Sequence, residues 1–290
     1  MEVFHVQFPG LGWEFTISNV AFYIGTYPVY WYGLIITAGM LLAVLYAWKS
    51  APRYQVNASK LFNCVLVGLI TGIIGARLYY CAFQWETYIK NPISILYIHE
   101  GGLAIYGGII GALIGGLVVA KIQKIKFMPI LDITMVGFLI GQGIGRWGNF
   151  MNQEAFGYET TLPWGMISEG TLAEYPTPVH PCFLYESLWC LLGVAVLHFY
   201  GKYRQRYAGQ IFYMYLVWYG LERMIVEGLR YDSLYLWNTG IRVSQVLSAI
   251  IMIVGIVMLI INIKKEEPFY ADYRRKNGIG KGKGKRKKAH

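Results

Sequence analysis

The sequence predicts an all-α polytopic integral membrane protein with seven transmembrane helices, its N-terminus outside and its C-terminus in the cytoplasm. Three observations carry that reading. The 290 residues are 56% hydrophobic and 16% aromatic with only 14% charged, and the mean hydropathy is +0.40, far from the composition of a soluble domain. Seven apolar runs, at roughly 30–48, 61–83, 103–120, 130–147, 182–200, 210–226 and 242–262, are each long enough to cross about 30 Å of hydrocarbon as a helix. The basic residues are sorted by connection: Lys49, Arg53 and Lys60 in the first, Lys121, Lys124 and Lys126 in the third, Lys202, Arg204 and Arg206 in the fifth, and eleven Lys or Arg after the last run. The positive-inside rule makes those sides cytoplasmic. The net charge of +10 is then a matter of topology, and no nucleic-acid partner is expected.

Taken in order, residues 1–29 lack the basic start and continuous apolar core of a cleaved signal, with Glu14 in their middle. Their Phe, Tyr and Pro content predicts an extracytoplasmic arm lying on the interface. The membrane domain spans 30–262. Tyr30-Trp-Tyr-Gly33 opens the first helix, where Tyr32 serves either an aromatic belt or a contact to lipid phosphate. The second helix carries Gly68 and Gly72 and ends near Arg77, which either snorkels outward or points into a polar cavity. A segment from His99 follows with six glycines in residues 101–115. Gly107, Gly111 and Gly115 form a ridge for packing, and Gly101-Gly102 allows a re-entrant turn that places Tyr106 near the outer side. The fourth helix repeats the spacing at Gly137, Gly141 and Gly145, and the two ridges are expected to meet.

The outer loop 150–181 is too long for a plain connector and predicts a small subdomain or lid. It holds Glu154, Gly157 and, before the fifth helix, His180, a surface histidine or a base. In the sixth helix Tyr219, Arg223 and Glu227 share a face at four-residue spacing. Residues 263–290 predict a disordered basic cytoplasmic tail. Cys64, Cys81, Cys182 and Cys190 form no CxxC pair, so neither metal nor disulfide is expected.

The polar groups concentrate where the fourth run ends: Arg146, Asn149, Asn152 and Glu154. A charged side chain at bilayer depth costs about 2.5–3.5 kcal/mol on insertion scales, so such a cluster marks a functional site. A guanidinium offers phosphate a planar, permanent charge, and Arg146 with Arg223 would stabilise a departing phosphate ester. There is no GxSxG, HExxH or phosphate loop, which favours direct displacement on a bound phospholipid over a covalent enzyme intermediate. A transporter for an anionic solute is the rival class; it would show an internal repeat and polar groups at the midplane.

The stretch Gly145-Arg146-Trp-Gly148-Asn149-Phe150-x-Asn152-x-Glu154-x-x-Gly157 resembles the signature of the prolipoprotein diacylglyceryl transferases. The Gly-Gly-Leu-Ala-Ile-Tyr-Gly-Gly run, Tyr-Trp-Tyr-Gly, His180-Pro-x-x-Leu-Tyr185-Glu186 and Arg223-x-x-x-Glu227-x-x-Arg230 are similar too, and occur in the family's order from about Val20 to Ile260. The resemblance implies a cofactor-free bacterial plasma-membrane enzyme with its site toward the outer face. It would move diacylglyceryl from phosphatidylglycerol to the lipobox cysteine of a prolipoprotein signal peptide, leaving glycerol 1-phosphate. On that resemblance Arg146, Arg223, Tyr106 and Glu154 are catalytic. Tyr32, Asn149, Asn152, Gly157, Glu227, Arg77, Tyr219 and His180 bind substrate, with Glu227 positioning Arg223. Some members carry histidine where this chain has Tyr106, and a phenol with an ordinary pKa near 10 is a poor base at neutral pH. Glu154, Glu227 and His180 are the alternatives, so the proton acceptor stays unassigned.

Overall fold

The computed structural model describes residues 2–98, 101–232, 235, 240 and 242–276; His99 and the tail beyond Lys276 lie outside them. The described chain is mostly helical. Six helices are long and apolar enough to cross a membrane: Trp31–Tyr54, Ala58–Phe83, Ile105–Ile122, Phe127–Asn152, Cys182–Tyr203 and Val243–Ile261. The protein is thus a polytopic membrane protein.

In chain order the elements are β1 (Val3–Phe8), β2 (Trp13–Ser18), β3 (Val20–Ile24), β4 (Tyr27–Tyr30), α1 (Trp31–Ser50), α2 (Ala58–Phe83), α3 (Trp85–Tyr88), α4 (Ile105–Ile122), α5 (Phe127–Asn152), α6 (Glu169–Leu172), α7 (Cys182–Tyr203), α8 (Gln210–Leu229), α9 (Val243–Ile261) and α10 (Pro268–Lys276). The 20-residue α8 carries Glu222, Arg223 and Glu227, and this charge keeps it apart from the six.

Two departures from the sequence reading concern the ends. The protein is not all-α: β1 pairs antiparallel with β2 and β3 with β4. The alternation of Phe4, Val6 and Phe8, with period two, turns these side chains to one side. There Val6 and Phe8 are buried with Phe150, Phe156, Met166, Val179 and Phe183. The arm and the 153–181 loop therefore share a core, joined by Gln7 N–H to Ile167 O at 2.8 Å and the reciprocal bond at 2.9 Å. At the other end, α10 forms inside the segment expected to be disordered, because Tyr270 is buried and Arg274 donates to Gln205 O.

The chain divides into two compact units, Met1–Ala43 with Thr134–His290, and Val44–Ile133. In the second unit the glycine ridge of α4 packs on α2. A Cβ at Gly107 would stand 2.3 Å from Gly75 O, and one at Gly111 2.2 Å from Thr71 O, so the two backbones approach as only glycines permit. In the first unit the glycines of α5 meet α1 instead, with a Cβ at Gly137 lying 3.2 Å from Ala43 O and one at Gly145 3.0 Å from Ile36 Cδ1. The expected pairing of the α4 and α5 ridges is thus corrected: each has its own partner of small residues, α2 for one and α1 for the other.

Candidate functional site

Helix α5 continues five residues past the apolar run, so Asn149 and Asn152 lie on its last turns with Arg146 rather than beyond it. It ends in a Schellman turn. Gln153 is left-handed at φ 51°, its N–H bonds Phe150 O at 3.1 Å, and the Glu154 N–H bonds Asn149 O at 3.1 Å. A non-glycine residue there costs about 1–2 kcal/mol, offset by Gln153 Nε2 donating to Phe150 O at 2.6 Å. The turn folds Glu154 back, and Asn149 Nδ2 donates to its Oε1 at 2.8 Å. Arg146 Nη1 in turn donates to Asn149 Oδ1 at 3.5 Å.

The centre of the cluster is Glu186, on the second turn of α7 and only 2% exposed. It pairs with Arg146, with Arg223 at 3.8 Å and with Arg230 at 4.0 Å. Two of these arginines have a second carboxylate: Arg223 Nη2 lies 2.5 Å from Glu227 one turn on in α8, and Arg230 donates to both oxygens of Asp232 at 2.8 and 2.6 Å. Burial alone would raise the Asp232 carboxyl, but the Arg230 hydrogen bonds hold it below its ordinary range. Arg146 and Arg223 keep 23% and 18% of their side chains exposed. Two guanidiniums are thus fixed in place yet open to a ligand.

The remaining expected residues of this unit fall around that centre. Tyr219 lies one turn before Arg223 and stacks on Tyr215 at 5.8 Å. The Tyr32 ring covers Gly148, where a Cβ would sit 2.8 Å away. Tyr32, Asn152 and Glu154 line one cavity. Gly157 threads between the loop before α7 and the C-terminal end of α8: its N–H bonds His180 O at 2.9 Å and the next N–H bonds Leu229 O at 2.8 Å. A Cβ at Gly157 would lie 2.7 Å from His180 Cβ and 2.8 Å from Leu229 O, so glycine ties the loop to the end of α8. His180 Nδ1 meets the Tyr185 hydroxyl at 3.1 Å, and burial lowers its pKa.

Two expected residues belong to the second unit. Tyr106 stands in the first turn of α4, 38% exposed. Arg77 is buried, and its guanidinium donates to the carbonyls of Ile95, Gly101, Gly102, Ser94 and Tyr97 at 2.7–3.2 Å, which shapes the loop before α4. Sequence reasoning quoted Glu186 within a motif without giving it a role, and did not name Asp232. Glu186 could have been found, since a carboxylate inside an apolar run requires cationic partners. Asp232 follows Arg230 by two residues in a connection, where nothing in the pattern distinguishes it.

Arginines anchored by buried carboxylates among membrane-length helices define a polytopic membrane protein with a polar cluster inside its helical part. The family model described as "Prolipoprotein diacylglyceryl transferase" matches residues 19–261. The phosphatidylglycerol–prolipoprotein diacylglyceryl transferase of Bacillus cytotoxicus is 41% identical over 256 residues, covering 86% of this chain and 93% of its own. That of Finegoldia magna is 43% identical over 244 residues, covering 84% and 95%. The chain belongs to the prolipoprotein diacylglyceryl transferase family.

Proposed function

We propose that this protein transfers the diacylglyceryl group of phosphatidylglycerol to the lipobox cysteine of a prolipoprotein, the first step of lipoprotein maturation. The observation that carries the reading is the pair Arg146 and Arg223, both held by Glu186 and both partly open. The cysteine sulfur attacks the glyceryl carbon that bears the phosphate ester. A carbon–sulfur bond forms, the carbon–oxygen bond breaks, and its electron pair leaves on glycerol 1-phosphate. Negative charge grows on that phosphate, where fixed guanidiniums stabilise the transition state more than the ground state. Asn149 and Glu154 orient the headgroup, Glu227 positions Arg223, and Tyr32, Tyr219 and Gly157 complete the walls. The thiol proton passes to one of Glu154, Glu227 and His180. Arg77 supports the loop that leads into Tyr106.

The same reading places α8 in the membrane as a seventh span, with Arg223 facing the protein interior, where Glu186 and Glu227 partner it. The sorting of Lys and Arg supports a cytoplasmic C-terminus, an N-terminus outside, and a site toward the outer face of the bacterial plasma membrane. The test is purified protein in phosphatidylglycerol micelles with a lipobox peptide, following glycerol phosphate release and peptide mass. A diacylglyceryl mass gain that requires the peptide cysteine is expected, and is lost in Arg146→Ala and Arg223→Ala. Near-normal turnover in folded variants would refute the roles of the arginines.

A further inference from the structure

We infer that the open edge of β2 docks the acceptor polypeptide, which joins the β1–β2 ribbon as a third strand; the inference rests on the transfer reaction proposed above. In its two-stranded sheet β2 pairs with β1, and the ladder fixes where its other backbone groups point. Gln7 exchanges hydrogen bonds with Ile167, and the His5 N–H donates to Glu169 Oε2, so both residues turn their backbone groups away from β2. Their cross-strand partners are Glu14 and Thr16. Opposite residues of an antiparallel pair either bond each other or both point outward. Glu14 and Thr16 therefore present N–H and C=O on the open side, where no backbone bond reaches them among the described residues. Sheet edges are commonly closed by proline, lysine or a bulge. Trp13-Glu-Phe-Thr-Ile-Ser18 has no proline and no lysine, and its register with β1 runs without a shift.

The side chains supply a second observation. Trp13, Phe15 and Ile17 stand opposite Phe8, Val6 and Phe4 and so share the ribbon face that covers the core. Val6 and Phe8 are buried there, whereas Trp13 and Phe15 remain 62% and 40% exposed. The core face thus continues past β1 onto an uncovered apolar rim. An added strand would cover that rim with alternate apolar side chains while its backbone bonds Glu14 and Thr16. The rim also leads to the site. The rings of Phe15 and Phe150 lie 6.2 Å apart, and Phe150 follows Asn149 on the last turn of α5. The transfer requires an extended polypeptide that brings a cysteine thiol to this end of α5, and that is the occupant the edge fits.

The test is the micelle assay with lipobox peptides N-methylated at one residue at a time, which removes a single amide donor and leaves the protein untouched. Methylation at alternate residues should raise the peptide KM by about threefold to tenfold, the worth of one hydrogen bond. The residues between should tolerate it, because only every second amide faces β2. Thr16→Pro removes an outward N–H at a position where an edge strand accepts proline, and should raise the KM of the unmodified peptide by a similar factor but not that of phosphatidylglycerol. Trp13→Ser, which keeps the backbone and strips the rim, should act in the same direction. A scan without period two would overturn the inference and leave the transferase reading standing. So would a peptide KM unmoved in both variants, including the case where Thr16→Pro alters only the oligomeric state, which would assign the edge to a second copy of this chain. Absence of transfer from phosphatidylglycerol by the wild type would overturn the transferase reading and the inference with it.

Discussion

Replacing Glu186 by Gln keeps the shape of the side chain and removes the one charge that three guanidiniums share. Arg223 retains Glu227 at 2.5 Å and Arg230 retains Asp232, whereas Glu186 is the carboxylate that pairs with Arg146 among the described ion pairs. The loss therefore falls mainly on Arg146. Removing one partner of a buried pair typically costs about 3–5 kcal/mol because the other charge stays uncompensated. Arg146 is 23% exposed and can draw some hydration, so about 3 kcal/mol is expected. Displacement of a preorganised donor should also lower turnover by about 10²–10³-fold. Thermal unfolding in detergent reads the first effect and peptide diacylglyceryl transfer the second. Glu227→Gln is the internal comparison: Arg223 then still has Glu186 at 3.8 Å, and the loss of stability should be smaller. A Glu186→Gln protein with an unchanged midpoint and unchanged turnover would refute the view that Glu186 holds the arginines.

Other substitutions test the supporting structure. Gly157→Ala forces a Cβ within 2.8 Å of Leu229 O and should destabilise the loop by about 1–3 kcal/mol, seen as faster proteolysis within residues 153–181. Arg77→Met leaves five carbonyls without their donor; cleavage of the segment before α4 by added protease should rise, and an unchanged digest would count against the anchoring role. The folded pKa of His180 lies below its ordinary 6.5, so the unfolded chain takes up its proton first. The His180 contribution is fully present above about pH 6.5 and is lost as pH falls through the lowered folded value. The midpoint of unfolding should drop between neutral and mildly acid pH, and His180→Gln should flatten that slope.

The apolar runs were legible because a span of hydrocarbon imposes length and composition on a helix locally, and α1, α2, α4, α5, α7, α8 and α9 begin and end close to where the pattern places them. The signature residues from Arg146 to Gly157 were legible for a different reason: polar groups at the end of an apolar run have no cheap structural explanation. The β1–β2 hairpin escaped because its period-two pattern is short, and its inward side is completed only by Phe156, Met166 and Val179 from residues far along the chain.

Partner choice was not legible at all. Equal glycine spacings on α4 and α5 state that each helix can approach another closely, and say nothing of which one. Packing settled it, with α4 against α2 and α5 against α1. The same division holds at the site. The sequence alone determined that this is a membrane protein and pointed to Arg146 and Arg223 as members of one polar cluster, since the solvation cost of charge in an apolar run acts on each residue where it stands. It grouped Arg77 with them, which instead binds backbone carbonyls of the second unit. Only the tertiary structure decided that Glu186 of α7 joins the arginines of α5 and α8, because an ion pair between helices depends on three-dimensional distance, which residue spacing along one helix does not encode.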